Sequence, residues 1–296
     1  MTTTTGQAGL DLREPASWRR TKNRIAIAAM VVASVLMAVP LGFVVWTVIS
    51  KGASVISWSF LTGSIPPSIS PAGEGGMGPA VLGTLEITAL AALMSVPLGV
   101  LGAIYLNEYG GRSPLARLVR TMSDVMTGVP SIVMGLFIFS IWVLHFGFSG
   151  LAGAFALGCL MLPIVIRSSE EMLKLVPGPL REASYALGAS KARVTLTVVL
   201  PAAIGGIVSG ALLAVARAAG ETAPLLFTIL TVTTVNANLF SGANTALSAQ
   251  IFVNAQSVYP GSQARAWGAA LTLIVIAFVL MIAARLTTAR FAKFSR

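Results

Sequence analysis

Long apolar runs, separated by short segments rich in Lys, Arg, Gly and Pro, set the pattern of this chain. The runs cover about residues 25–49, 80–106, 122–146, 150–167, 202–233 and 266–286. Each comes close to the roughly 20 residues an α-helix needs to cross a bilayer. In a lipid core the backbone must satisfy its own hydrogen bonds, so apolar runs without strand alternation predict helices. The expected fold is all-α, a polytopic membrane bundle of about six helices. The fifth run is interrupted by Arg217, Gly220, Glu221 and Pro224. It is therefore either one long broken helix or a helix followed by a re-entrant or interfacial piece.

The connecting segments give the orientation, because loops on the cytoplasmic side are enriched in Lys and Arg. One set of segments carries Arg13, Arg19, Arg20, Lys22 and Arg24, then Arg112, Arg117 and Arg120. Lys174, Arg181, Lys191 and Arg193 follow, and finally Arg285, Arg290, Lys293 and Arg296. The alternating set holds only Lys51 and Arg265. An even number of spans with both termini in the cytoplasm fits every segment. The resulting division is a cytoplasmic tail over 1–24, a membrane domain over 25–286 and a second cytoplasmic tail over 287–296.

Two outside segments have their own character. Residues 62–79 contain Pro66, Pro67, Pro71 and Pro79 with several glycines and read as an exposed irregular loop. The stretch 234–265 is rich in Asn, Ser and Gln but includes Ile251, Phe252 and Val253, which suits a short amphipathic piece at the interface. The plainer reading of both is a solvated connector.

Composition agrees: 55% of the residues are hydrophobic and 10% charged, too apolar for a soluble domain. The net charge of +10 is spread over the ends of the apolar runs, which argues against a nucleic-acid face. Cys159 is the single cysteine and His145 the single histidine, so intrachain disulfides and clustered Cys/His metal or triad chemistry are excluded. The polar start, Met1 to Ser17, lacks the apolar core of a secretory signal. It is expected to remain on the protein, in the cytoplasm.

The segment between the fourth and fifth runs carries the most specific signal. EASYALGASKARVTLTVVLP places Glu182, Ala183 and Ser184 ahead of Gly188, with Val198, Leu200 and Pro201 at its end. An Ala-rich helix closed by glycine is a rigid protrusion that can sit in a groove of a partner and pass motion to the membrane helices. The spacing resembles the EAA loop of ABC importer permeases, whose pattern is Glu-Ala-Ala, three residues, Gly, nine residues, Ile-x-Leu-Pro. Ser184 stands for the second Ala and Val198 for Ile. Four further stretches, PLGVLGAIYLNEYGGR from Pro97, GVPSIVMGLF from Gly128, LPIVIRSSEEMLKLVP from Leu162 and ARAAGETAPLLFT from Ala216, are similar to the PstA type of phosphate permease. That resemblance implies a type I ABC importer permease of the bacterial plasma membrane. It further implies a PstC-type permease, a PstB-type ATPase dimer and a PstS-type phosphate-binding protein as partners. No GxxxxGK[ST] loop occurs in the chain, so ATP and Mg²⁺ are expected on the ATPase and no cofactor on this subunit. The coupling loop, at about 170–201, implies ATPase contact through Glu182, Ala183, Ser184, Gly188, Leu200 and Pro201.

Ionisable residues inside spans are functional candidates by default. Arg217 and Glu221 are four apart, on one face if helical, and able to pair. Arg217 offers a planar fork suited to phosphate, and Glu221 can accept from a protonated phosphate, a donor that sulfate lacks. The pair serves either translocation or the locking of helices. Arg167 and Glu170, three apart at the cytoplasmic end of the fourth span, form a second pair; the PstA resemblance of the RSSEE segment implies a place in the translocation path, while positive-inside anchoring of Arg167 is the plainer reading. Asp124 reads as a cap near the start of the third span, and Glu86 has no assigned role. Competing functions are a permease for molybdate or sulfate and, outside the ABC class, an ion-coupled carrier. A membrane enzyme is disfavoured by the lack of clustered acid–base groups.

Overall fold

The structure, a computed structural model, describes residues 16–292 and is helical throughout its regular parts. Arg13, Lys293 and Arg296 of the predicted tails lie outside the described residues. The chain divides into two units, up to Ile49 and from Ser50 onward. The described part of the first is a single helix, α1 (Ala16–Gly52), with Pro40 in its interior.

The second unit holds the remaining helices. α2 (Trp58–Thr62) precedes the irregular Pro- and Gly-rich loop, and α3 runs over Gly78–Gly110. α4 (Pro114–Gly128) meets α5 (Ser131–Phe146) at a bend of 107°. α6 (Gly150–Lys174), α7 (Gly178–Ala186) and α8 (Lys191–Ala219) follow. α9 (Ala223–Thr228), α10 (Leu247–Ala255) and α11 (Pro260–Ala292) complete the chain. Five helices are long and apolar enough to span a bilayer, and the bent α4–α5 pair makes a sixth span if counted as one. The predicted all-α membrane fold is therefore the observed one.

Local chemistry places the boundaries. Ser113, Ser149 and Ser190 each accept a hydrogen bond from a backbone N–H of the first turn of α4, α6 and α8, the usual N-cap arrangement. Gly111 and Gly147, at positive φ, end α3 and α5. The α4–α5 bend follows from Pro130, which keeps Val129 extended (φ −70°, ψ 127°) and stops α4 at Gly128. This corrects the expected third span over 122–146. Its helix begins at Pro114 and breaks at Pro130, because an amphipathic segment reads as polar in a hydropathy count.

α3 and α6 form the central packed pair, and small residues let their backbones approach, as is general for membrane helices. A Cβ on Gly99 would lie 2.7 Å from Cγ1 of Val165. The buried cluster around Ile87, Ala91, Ala154, Leu157 and Met161 reaches Leu225 and Ile229. It fixes α9 to this pair.

The fifth apolar run is broken as expected: α8 ends at Ala219, and the short α9 starts three residues after Gly220. The outside segments are also less free than a solvated connector. Arg265 is fully buried and donates to the carbonyl oxygens of Ser70 and Pro71, each at 2.9 Å, and of Pro67 and Ser68. It pins the irregular loop to the start of α11. α10 is a short amphipathic helix in which Ser248, Gln250 and Asn254 are buried while Phe252 and Val253 are exposed. Its polar side chains find partners inside: Ser248 on Glu221 O, Gln250 on Val232 O and Thr245 Oγ1.

Candidate functional site

The α4–α5 break, α6 and the end of α8 enclose a cavity of about 260 Å³. Thr127, Pro130 and Ser131 line it from the break, Met161 and Ile164 from α6, and Arg217 and Glu221 from α8 and beyond. Each wall has a local cause. Ser131 opens α5, so the positive end of that helix dipole faces the cavity. Opposite, α8 closes with Gly220 N–H on Arg217 O and Glu221 N–H on Ala218 O. That tight end turns Glu221 off the helix. The Ser248 hydroxyl then donates to Glu221 O at 2.9 Å, fixing the turn before α9. α5 and α9 touch backbone to backbone, for a Cβ on Gly135 would lie 2.7 Å from the Cα of Pro224.

Arg217 Nε lies 3.9 Å from Glu221 Oε1, with side-chain exposures of 70% and 23%. The expected pair is present but loose. At that separation the guanidinium keeps most of its donors for another acceptor.

Arg167 and Glu170 do not pair with each other, contrary to the sequence expectation. Arg167 pairs with Asp124 of α4. Glu170, with a side chain 0% exposed, accepts on Oε1 from Arg120 Nε at 3.0 Å and Lys174 Nζ at 2.9 Å. Arg120 also donates to Leu106 O and Gly111 O, so one guanidinium joins α3, α4 and α6. Asp124 stands in the last turns of α4, at the negative end of the dipole, so it is no N-cap and its charge is offset by Arg167. Neither Arg167 nor Glu170 lines the cavity. Arg167 follows the lining Ile164 by three residues and Asp124 precedes the lining Thr127 by three, which puts their pair about one helical turn, roughly 5 Å, from it.

The residues expected to contact the ATPase fall into two groups. Glu182 and Ala183 are exposed on α7, and Ser184 donates to Leu180 O. Gly188 sits at φ +78°, and Ala189 N–H reaches Ser184 O, an end that suits glycine. Leu187 is 89% exposed beside it, an apolar tip on a polar protrusion. Leu200 and Pro201 lie apart from this tip, inside α8 directly after a π-helical turn over Thr195–Val199. Proline has no N–H to continue the α-helical pattern, and the wider turn absorbs the missing bond. Leu200 packs against the buried cluster of Val194, Val199 and Ala203 and seats the segment on the bundle, while Pro201 is exposed.

Sequence reading missed the residues that tie this protrusion to the membrane helices. Arg181 of α7 pairs with Glu108 of α3 at 3.1 Å, with side-chain exposures of 23% and 6%, and donates to Leu173 O of α6. The acidic residue at the end of a span was the available signal. Thr127, Ser131, Arg120 and Ser248 carried none, because only the folded chain brings them to the charged positions.

Residues 95–293 match the family described as binding-protein-dependent transport system inner membrane component. The chain is also 42% identical over 274 residues to phosphate transport system permease protein PstA 1 of Mycobacterium tuberculosis, covering 90% of this chain and 88% of that one. The chain belongs to the PstA family of these permeases. It is 41% identical over 280 residues to PstA of Yersinia pestis, covering 94% of each. As a PstA-family permease it is a multi-pass plasma-membrane component of an ABC transporter and not an enzyme. Solved structures share the fold. One is a bacterial alginate ABC transporter, with a TM-score of 0.64 and 14% identity, covering 93% of this chain and 98% of that one. Another is the inward-facing MetNI methionine ABC transporter, with a TM-score of 0.54 and 20% identity over 73% and 94%. The family match contains the cavity, the ion pairs described above and the α7 protrusion.

Proposed function

We propose that this permease forms half of the translocation path of an ATP-driven inorganic phosphate importer, with both termini in the cytoplasm. The observation that carries the reading is Arg217, loosely held by Glu221 in a cavity that also receives the positive end of α5. Phosphate prefers a planar fork with two parallel donors, and a protonated phosphate can donate to Glu221, which fully ionised sulfate cannot. Excess Lys and Arg on one set of loops supports the orientation. A PstC-type permease would supply the other half, a PstS-type protein would deliver phosphate, and a PstB-type ATPase dimer would bind ATP and Mg²⁺ and receive α7. A permease for molybdate or sulfate is the second reading within the ABC class, and Glu221 argues against sulfate. The exposed coupling tip argues against a self-contained carrier. The test is uptake of labelled phosphate into proteoliposomes that hold the four-component complex. ATP-dependent uptake that excess phosphate suppresses and excess sulfate or molybdate leaves intact is the expected result. Equal competition by either anion would overturn the phosphate assignment.

Gly188→Val is expected to uncouple the complex. A β-branched residue at φ +78° strains the turn by about 1–2 kcal/mol and reshapes the tip around Leu187. ATP hydrolysis stimulated by the loaded binding protein should fall severalfold, with this subunit still in the complex. Unchanged stimulation would remove α7 from its assigned role.

A further inference from the structure

α4 carries two chemistries. Leu115, Leu118, Met122 and Val125 recur every three or four residues and are 55%, 54%, 47% and 56% exposed, an apolar stripe with no protein cover among the described residues. Beside it Arg117, Arg120 and Thr121 join Gly111, Arg112 and Ser113 around a cavity of about 200 Å³. The 107° bend to α5 lays α4 near the membrane plane when α5 crosses. The cavity then stands at headgroup depth, directly above the acyl chains that receive the stripe.

Arg120 is already held by Glu170, Leu106 O and Gly111 O. Arg112 and Arg117 are exposed, and among the described residues no carboxylate pairs with either. Two guanidiniums without a counter-charge, at the rim of a small polar cavity and over an apolar stripe, fit a ligand that is a phosphodiester at one end and hydrocarbon at the other. We propose that this cavity binds the headgroup of an anionic phospholipid of the phosphatidylglycerol class in the leaflet facing the cationic loops. The guanidiniums of Arg112 and Arg117 hold the phosphodiester oxygens, and the acyl chains run along Leu118 and Met122. A soluble phosphate has no use for the stripe, which is why the lipid is the assigned source. The bound headgroup would also affect transport. It fixes α4 at its start, while Arg120 and Asp124 on the same helix hold Glu170 and Arg167, the second of these pairs lying about one turn from the translocation cavity. This site goes beyond the phosphate reading and stands or falls separately from it.

The test uses the chain purified with its native partners in nanodiscs of neutral phosphatidylcholine doped with phosphatidylglycerol, with retained lipid counted by native mass spectrometry. The natural sequence should keep phosphatidylglycerol preferentially, and the Arg112→Gln/Arg117→Gln double variant should keep about tenfold less or lower still. The Arg112→Lys/Arg117→Lys variant should retain most of it, because the positive charge remains. Equal retention by the Gln variant would overturn the site. Loss of a partner subunit from that variant, with phosphatidylglycerol still retained, would assign the arginines to a protein interface and overturn it too. Displacement of the lipid by millimolar inorganic phosphate, with phosphate binding in purely neutral nanodiscs, would make this a soluble-anion site and overturn the lipid assignment. None of these readouts requires transport.

Discussion

Arg217→Ala is expected to lower phosphate uptake by about 10- to 100-fold, the loss that follows from removing a hydrogen-bonded charge worth about 1.5–3 kcal/mol. Arg217 is 70% exposed and 3.9 Å from Glu221, whose side chain keeps 23% exposure, so its deletion leaves no fully buried charge unpaired. The complex should therefore assemble and melt as before, and ATP hydrolysis without substrate should be unaffected. Arg217→Lys keeps the charge and loses the fork, so an intermediate uptake is expected from it. Uptake measured in proteoliposomes at a saturating level of loaded binding protein separates these outcomes. Normal uptake in the alanine variant would leave the pair as a structural lock, the other role its spacing allowed.

How far the site was legible depended on whether its contacts were local in sequence. The Arg217–Glu221 spacing of four residues and the breakers around it identified a pair and an interrupted helix, and the structure has both. The same spacing logic failed for Arg167 and Glu170. Their partners come from 43 and 50 residues away on α4, and a helix-periodic reading weighs only neighbours on the same helix. α4 itself was half hidden for a related reason. Its apolar and basic positions alternate around the helix, so an average along the chain dilutes both, and only Pro130 marks where it ends.

The stretch 234–265 shows the converse. Asn, Ser and Gln over 234–265 suggest solvent, yet Ser248, Gln250 and Asn254 are buried because each finds an internal partner. Polarity in sequence reports the need for a hydrogen bond and not who supplies it. Arg265 makes the same point more strongly, as a cation enclosed by four backbone carbonyls of a loop nearly 200 positions earlier.

Glu170→Ala is expected to impair both stability and transport, which distinguishes it from the Arg217 variant. Glu170 is fully enclosed and holds Arg120 and Lys174 on one oxygen. Removing it leaves two cations facing each other across α4 and α6. Breaking an enclosed ion pair costs about 3–5 kcal/mol. Here Lys174 is 53% exposed and Arg120 32%, so solvent recovers part of the loss and about 2 kcal/mol is expected. The melting temperature of the purified complex should drop, and uptake with it, because Arg120 would no longer be held to α6. Arg167→Ala removes a pair exposed on both sides and should leave the melting temperature within error. Restoring charge balance tests the cause directly. Glu170→Ala combined with Lys174→Ala removes one of the two orphaned cations and should recover part of the lost stability. If the double variant is no more stable than Glu170→Ala, the loss arises from the void left by the side chain and not from the unpaired charge.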